Sequence, residues 1–522
     1  MNQNKQINYK ESPQSIWLEY QRETNYPVLN EDMKVDVAII GGGITGITTG
    51  YQLSKQGIKS AIFEADYILK GTTGHTTAKI TSQHGLIYSK IKSKISDEYA
   101  KQYADANESA IRTIENIIKE CNIDCDFIRQ SAYVYTLQDQ YVEKIQKESE
   151  TALSLGINST FLEMIPLPFP VKAAVRFENQ AQFHPLKFLY TLASEYSKNG
   201  GQIYEQSRIE NIEHNQNYYT LITSQGKKIT AEKVIIASHY PCYNKHGLYF
   251  ARIYPERSYV VAVKMKETYP GGMYVTAEEP GRSFRSHIYN NQELVFVSGE
   301  HHKTGQGQDM NKHYQTLIDY AKETFTIEDI PYRWSTQDCM TMDDIPYVGH
   351  HTSDTPNLYV ATGYGKWGMT NSIASSLILT DLIVKGSSPW QDVYNPSRNT
   401  ISASTKNFVV ENLNVAKELI KGKFSPLTMN IDLKEGEGKV TEVNGKRAGV
   451  YKDESGELFI VNTTCPHMGC ELNWNSAEKT WDCPCHGSRF TYKGDVIDGP
   501  AVKALAMDND VSTIQKLFKD EF

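Results

Sequence analysis

The sequence predicts a mixed α+β / α/β chain, with a helix-flanked parallel sheet near its front and a small all-β domain at its end. Two observations carry this. Residues 35–64 read apolar strand, glycine-rich turn, helix, second strand and acidic residue, the order of a βαβ unit wrapped around a dinucleotide. From residue 428 the text changes to short strands broken by turn signals, Asn444-Gly445 and the Asp453–Gly456 run among them, which mark hairpins. At 522 residues the chain is too long for one core, and length alone suggests about three domain-sized units.

Composition narrows the class. Apolar residues make up 39% and charged residues 22%, ordinary for a globular protein. A net charge of −8 without a long basic run argues against a nucleic-acid partner. No uninterrupted apolar stretch is long enough for a membrane span. Residues 1–34 form an N-terminal extension whose opening, MNQNKQINYKESPQ, lacks an apolar core and a twin arginine. It does not read as an export signal, so a cytoplasmic address is expected. Cys121, Cys125, Cys242 and Cys339 are scattered and read as reduced thiols.

The front unit is a nucleotide fingerprint. The strand Val35–Ile40 meets Gly41-x-Gly43-x-x-Gly46, with Ile44 and Thr45 opening a helix. The glycines serve a tight turn, close approach of backbone to pyrophosphate, and close helix–strand packing. The helix N-terminus offers N–H groups and a positive dipole end to phosphate. Glu64 lies eighteen residues past Gly46, where an acid grips a ribose 2′-OH. FAD and NAD share this ADP half, so the fingerprint alone leaves both open.

Two more stretches decide between them by resemblance. GTTGHTTAKIT at 71–81 is a hydroxyl-rich turn, and LYVATGYGKWGMTNSIASSLILTDLI at 358–383 reads strand, glycine turn, helix. With KVIIAS at 233–238, they make the region from about residue 15 to 385 resemble the FAD-dependent oxidoreductases of the D-amino-acid oxidase-like family. The resemblance implies FAD, and it implies a Rossmann-like FAD-binding domain with an interleaved antiparallel substrate domain over residues 35–385. It places Thr72, Thr73 and His75 along the flavin. It also sets Gly363, Gly368, Met369 and Thr370 where a helix N-terminus meets the flavin pyrimidine and stabilises negative charge there. Some flavin demethylases of this superfamily attach FAD through a histidine in a similar turn. His75 is read as an uncrosslinked neighbour of the flavin, with the covalent link as the alternative.

After a Ser-, Asn- and Pro-rich linker at 386–427, which carries a short amphipathic piece at 409–420, comes the metal chemistry. Cys465-x-His467 and Cys483-x-x-His486 supply two thiolates and two imidazoles in mixed pairs. That is the ligand set of a [2Fe–2S] centre whose irons have unlike donors. Zinc fingers instead keep like ligands together. Residues 428–522 therefore resemble the Rieske family. The resemblance implies a Cys470–Cys485 disulfide between the cluster loops, a covering loop at Gly499-Pro500, and His467 and His486 outermost, toward the flavin or a docking partner. Respiratory members carry a Ser and a Tyr that hydrogen-bond the sulfurs; Ser488 is kept and Phe490 replaces the Tyr. Losing one donor lowers the expected potential.

Together the two centres read as an amine or amino-acid dehydrogenase. Substrate Cα–H goes to flavin, and electrons leave one at a time through the cluster to an external acceptor protein. The alternatives are reverse flow, with a donor protein feeding the cluster and a flavin reductase as the outcome, and a redox sensor without turnover. A Rieske oxygenase lacks its expected Asp-x-x-His-x-x-x-x-His run here. A substrate carboxylate wants a bidentate arginine, and Arg257 and Arg285 are the candidates, with His301, beside His302, facing the flavin.

Overall fold

A computed structural model describes residues 13–20, 24–243, 245–307, 309–398, 401–424, 433–443 and 446–506. The strand Met33–Ile40 is central to the first sheet. It pairs in parallel with Ser60–Phe63 on one side and Lys228–Ile236 on the other. Val37, Ala38 and Ile39 are buried, as expected for a strand covered on both faces and therefore apolar throughout. Leu358–Thr362 extends the parallel order beside Lys228–Ile236. Helices Ile44–Lys55 and Gly368–Lys385 pack on each other. Ser372, Ala374, Ser375 and Ser376 are buried on the second of these, small enough to let the helices approach closely.

The second sheet is mainly antiparallel and is dominated by Ile253–Met265, Arg282–Tyr289, Gln292–Lys303 and Ile327–Thr341. Its strands alternate in sequence with those of the first sheet. Lys79–Ile80 joins it straight after the nucleotide turn, and Gln202–Tyr204 returns to the parallel sheet. This is the interleaving expected of the front region.

The tail is all-β. Gly438–Val443, Lys446–Lys452 and Leu458–Asn462 form one antiparallel sheet, and the strands from Asn473 to Asp498 form another. Asn444-Gly445, read as a hairpin turn, lies outside the described residues. A Cβ on Gly449 would stand 2.6 Å from the Trp481 ring, so this strand needs its glycine for the two sheets to pack. A helix spans Ile401–Phe424, longer than the amphipathic piece at 409–420, and its Val415 and Leu419 find apolar partners in the tail's core. Among the described residues no helix is long and apolar enough to cross a membrane.

Candidate functional site

One cavity of roughly 1270 Å³ opens between the parallel sheet, the antiparallel sheet and the tail. Its nucleotide end is made by backbone. Gly41 has φ +108°, and a Cβ on Gly46 would lie 1.9 Å from the Gly41 carbonyl oxygen. The helix that follows has no side-chain N-cap at Gly43; its first N–H, that of Ile44, goes to Thr73, and the rest of its first turn is placed for phosphate. The Glu64 carboxylate accepts from Gly42 N at 2.7 Å and Asp66 N at 3.0 Å. Burial raises its pKa, and these two N–H groups oppose the rise. Thr73 Oγ1 accepts from Ile44 N at 3.1 Å, and Thr45 Oγ1 lies 3.0 Å from Tyr364 Oη. The 71–76 turn, the first helix and the late glycine turn are thus tied around one space. His75 faces it, with Nδ1 2.9 Å from Gly71 O and a pKa lowered by burial. Gly368 and Met369 also line the space. Thr370 instead turns its hydroxyl to Thr81 O at 2.8 Å, and a Cβ on Gly363 would meet Thr341 at 2.3 Å. The tight glycines and the helix N-terminus beside them fit a dinucleotide.

The four metal-ligand candidates stand on two closed turns. Gly469 N donates to Cys465 O at 2.9 Å, and Gly487 N to Cys483 O at 3.0 Å. Cys465 and Cys483 are buried free thiols, whereas Cys470 and Cys485 are joined by a disulfide. The His467 and His486 rings are 5.0 Å apart and perpendicular. Burial holds both imidazoles neutral, pushing His467 down to about 4 and His486, with His467 adding to it, to about 3. The His486 Nδ1 atom is buried with no hydrogen-bond partner among the described residues, the state of a nitrogen shaped for a metal. Ser488 Oγ accepts from Ala501 N at 3.0 Å, while Phe490 is fully buried. Two buried thiols and two neutral imidazoles fit a [2Fe–2S] cluster.

The histidine face of these loops is turned onto the upstream domain. The Phe250 ring stands 6.2 Å from His467 and 5.8 Å from His486. Gln337 lines the cavity, accepts at its carbonyl from Thr72 Oγ1 at 3.2 Å, and donates through Nε2 to Gly487 O at 3.0 Å. Asn473 Nδ2 donates to Gly305 O at 2.7 Å, and Arg208 Nη2 to Val496 O at 3.1 Å. Arg257 is 2% exposed and ion-paired with Glu478 of the tail at 2.5 Å. Glu478 also binds Arg489, whose guanidinium reaches Asp482 and Asp498. Burial pushes the Glu478 carboxyl up, but Arg257 and Arg489 reverse this and hold it well below the usual carboxylate range. Arg285 is fully buried behind the cavity wall, donates to Ala78 O at 3.0 Å, and is pushed by burial down to about 9. His301 lines the cavity 3.0 Å from Glu279 Oε2. His302 points instead to Tyr259 Oη at 2.9 Å.

The family model for FAD dependent oxidoreductases matches residues 36–382, and that for the Rieske [2Fe-2S] domain matches 424–513. The chain belongs to the FAD-dependent oxidoreductase family, with a Rieske domain at its C-terminal side. YhfW of Bacillus subtilis (strain 168), whose name describes a Rieske 2Fe-2S iron-sulfur protein, is 44% identical over 497 residues, covering 95% of this chain and 97% of its own. Gamma-glutamylputrescine oxidoreductase of Escherichia coli (strain K12) is 21% identical over 384 residues, covering 69% of this chain and 85% of its own. The crystal structure of glycine oxidase from Geobacillus kaustophilus superposes with a TM-score of 0.59 at 19% identity, covering 70% of this chain and 99% of that one. At that identity the superposition speaks for the fold.

The flavoprotein and Rieske domains thus share the walls of one cavity. Three residues of this seam escaped sequence reading. Lys79 lay inside the hydroxyl-rich 71–81 stretch without a motif of its own, and Gln337 and Glu478 belong to segments with no pattern at all. Only the pairing of distant strands brings them to the cavity.

Proposed function

We propose that the protein oxidises the C–N bond of an amine or amino acid and delivers the electrons one at a time to an external acceptor protein. The observation that carries this reading is the seam: the cluster loops present their histidine face to the domain whose cavity holds the dinucleotide turn, and Gln337 touches both. When bound, FAD supplies two-electron acceptance from a carbon beside nitrogen, and the cluster supplies one-electron passage.

The chain's own residues divide the remaining work. Gly41, Gly43, Gly46 and the helix N-terminus hold the pyrophosphate, Glu64 the ribose, and Thr72, Thr73, His75, Gly368 and Met369 the flavin side. Cys465, His467, Cys483 and His486 hold the irons. His301, backed by Glu279, gives the cavity wall a group able to hold a proton. Arg257 is held by Glu478, and Arg285 lies behind the wall. On the outer rim of the first cluster loop Met468 is 50% exposed, a place for the acceptor to approach. Four cysteines outside the cluster loops are free thiols, which suits a reducing, cytoplasmic setting. The names of the relatives, an oxidoreductase of gamma-glutamylputrescine and a glycine oxidase, support a nitrogen-bearing substrate.

The test is an anaerobic panel of amines and amino acids mixed with holoenzyme, with flavin and cluster absorbance followed separately. Flavin bleaching followed by cluster reduction is expected with at least one compound. Cluster reduction by a donor protein, with flavin reduced second and no amine or amino acid active, would reverse the assigned direction.

A further inference from the structure

Four cationic or ionisable nitrogen groups face the cavity from the antiparallel sheet. Three have acidic partners: Arg257 with Glu478, Arg282 with Glu300 at 2.5 Å, and His301 with Glu279. Lys79 has no carboxylate partner among the described residues. Its Nζ donates to Ser283 Oγ at 2.7 Å and lies 3.4 Å from Thr77 Oγ1. The Ser283 hydroxyl is 2.6 Å from Ser298 Oγ, and both serines line the cavity with Lys79.

Arg285 stands behind it, fully buried, with Nε and Nη2 lacking a hydrogen-bond partner among the described residues. Two adjacent positive groups without a negative one form an arrangement that burial disfavours unless an anion joins it. Burial and Arg285 together push Lys79 down to about 7. An arriving carboxylate offsets both, because it supplies the missing charge. Arg257 shows the same wall accepting a carboxylate, that of Glu478, and it is thereby closed to a second one.

We propose that Lys79, with Ser283 and Ser298, forms an anion subsite that takes the carboxylate of the substrate. The ammonium and a hydroxyl offer two donors to the two carboxylate oxygens. A simple amine would leave the subsite unfilled and bring a third positive charge beside Lys79 and Arg285. On the C–N oxidation reading, on which this rests, the preferred substrate is an amino acid or another carboxylate-bearing amine. Lys79 and not Arg257 is then its recognition centre.

The test titrates oxidised holoenzyme with acetate, a carboxylate without nitrogen, and reads the perturbation of flavin absorbance. Lys79→Met should weaken acetate binding by about tenfold or more, the loss of one charged hydrogen bond. Lys79→Arg should retain it, and FAD content and flavin midpoint potential should stay as in the parent. Lys79→Gln repeats the comparison should the Met variant fail to fold with FAD. Equal acetate affinity in parent and variants, or no acetate effect in the parent, would overturn the subsite. So would a shifted flavin potential with acetate binding intact, which would assign the lysine's charge to the flavin. Acetate binding that depends on Lys79, with no amine or amino acid bleaching the flavin, would sink the oxidation reading and leave the anion subsite standing.

Discussion

The two ends of the cavity are built on opposite plans. At the nucleotide end the working groups are backbone: Gly41 and Gly46 in a turn no side chain fits, and the N-terminal turn of the helix that follows. At the other end they are side chains from distant stretches: Lys79 reaches Ser283, and Arg257 meets Glu478 only because the Rieske domain closes on the antiparallel sheet. A backbone site is specified by contiguous sequence, since its geometry follows from which residues lack a Cβ. A side-chain site is specified by strand pairing, and its charges are assigned only when every partner is known.

The contrast is open to attack at four points of decreasing size. Gly46→Ala strikes the backbone end: its Cβ would sit 1.9 Å from a carbonyl oxygen. The purified variant should carry essentially no FAD while retaining cluster iron, and a full FAD complement would break the contrast. Glu478→Ala strikes the side-chain end by leaving Arg257 buried without its acid. Loss of one partner of a buried pair costs about 3–5 kcal/mol. The Rieske domain should then unfold in a separate, earlier calorimetric transition, with FAD retained.

The same pair sets an acid limit. Glu478 has its folded pKa depressed by Arg257 and Arg489 against the upward push of burial. Its contribution is full above the ordinary carboxylate range and is lost only as pH falls through the lower folded value. Protease resistance of the domain seam should therefore persist at about pH 5, above the usual glutamate pKa, and early opening there would contradict the pairing. The smallest effect belongs to Phe490→Tyr, which restores a hydroxyl beside the cluster and should raise its midpoint potential in a redox titration.

Much of the architecture was legible in the sequence because it depends on local patterns. The strand, turn and helix at 35–55, the return strand at 233–238 and the all-β tail all appear in the structure. The Cys470–Cys485 disulfide, implied by family resemblance, is present. Arg257 and Arg285 show the limit. Both looked like carboxylate clamps because arginine in a strand facing a cavity is chemically suited to that task. Only the fold shows that one is bound to Glu478, 221 residues away, and that the other stands behind the wall. The helix Ile401–Phe424 extends past the amphipathic piece at 409–420, whose Val415 and Leu419 pack on the Rieske core.

The most direct measurement is a dilution series in anaerobic stopped flow with a substrate that bleaches the flavin. If flavin and cluster work across one seam within one chain, cluster reduction follows flavin bleaching at a rate independent of protein concentration. A rate that rises in proportion to protein concentration, or a cluster that stays oxidised while the flavin is reduced, would show that the two centres do not exchange electrons within the molecule.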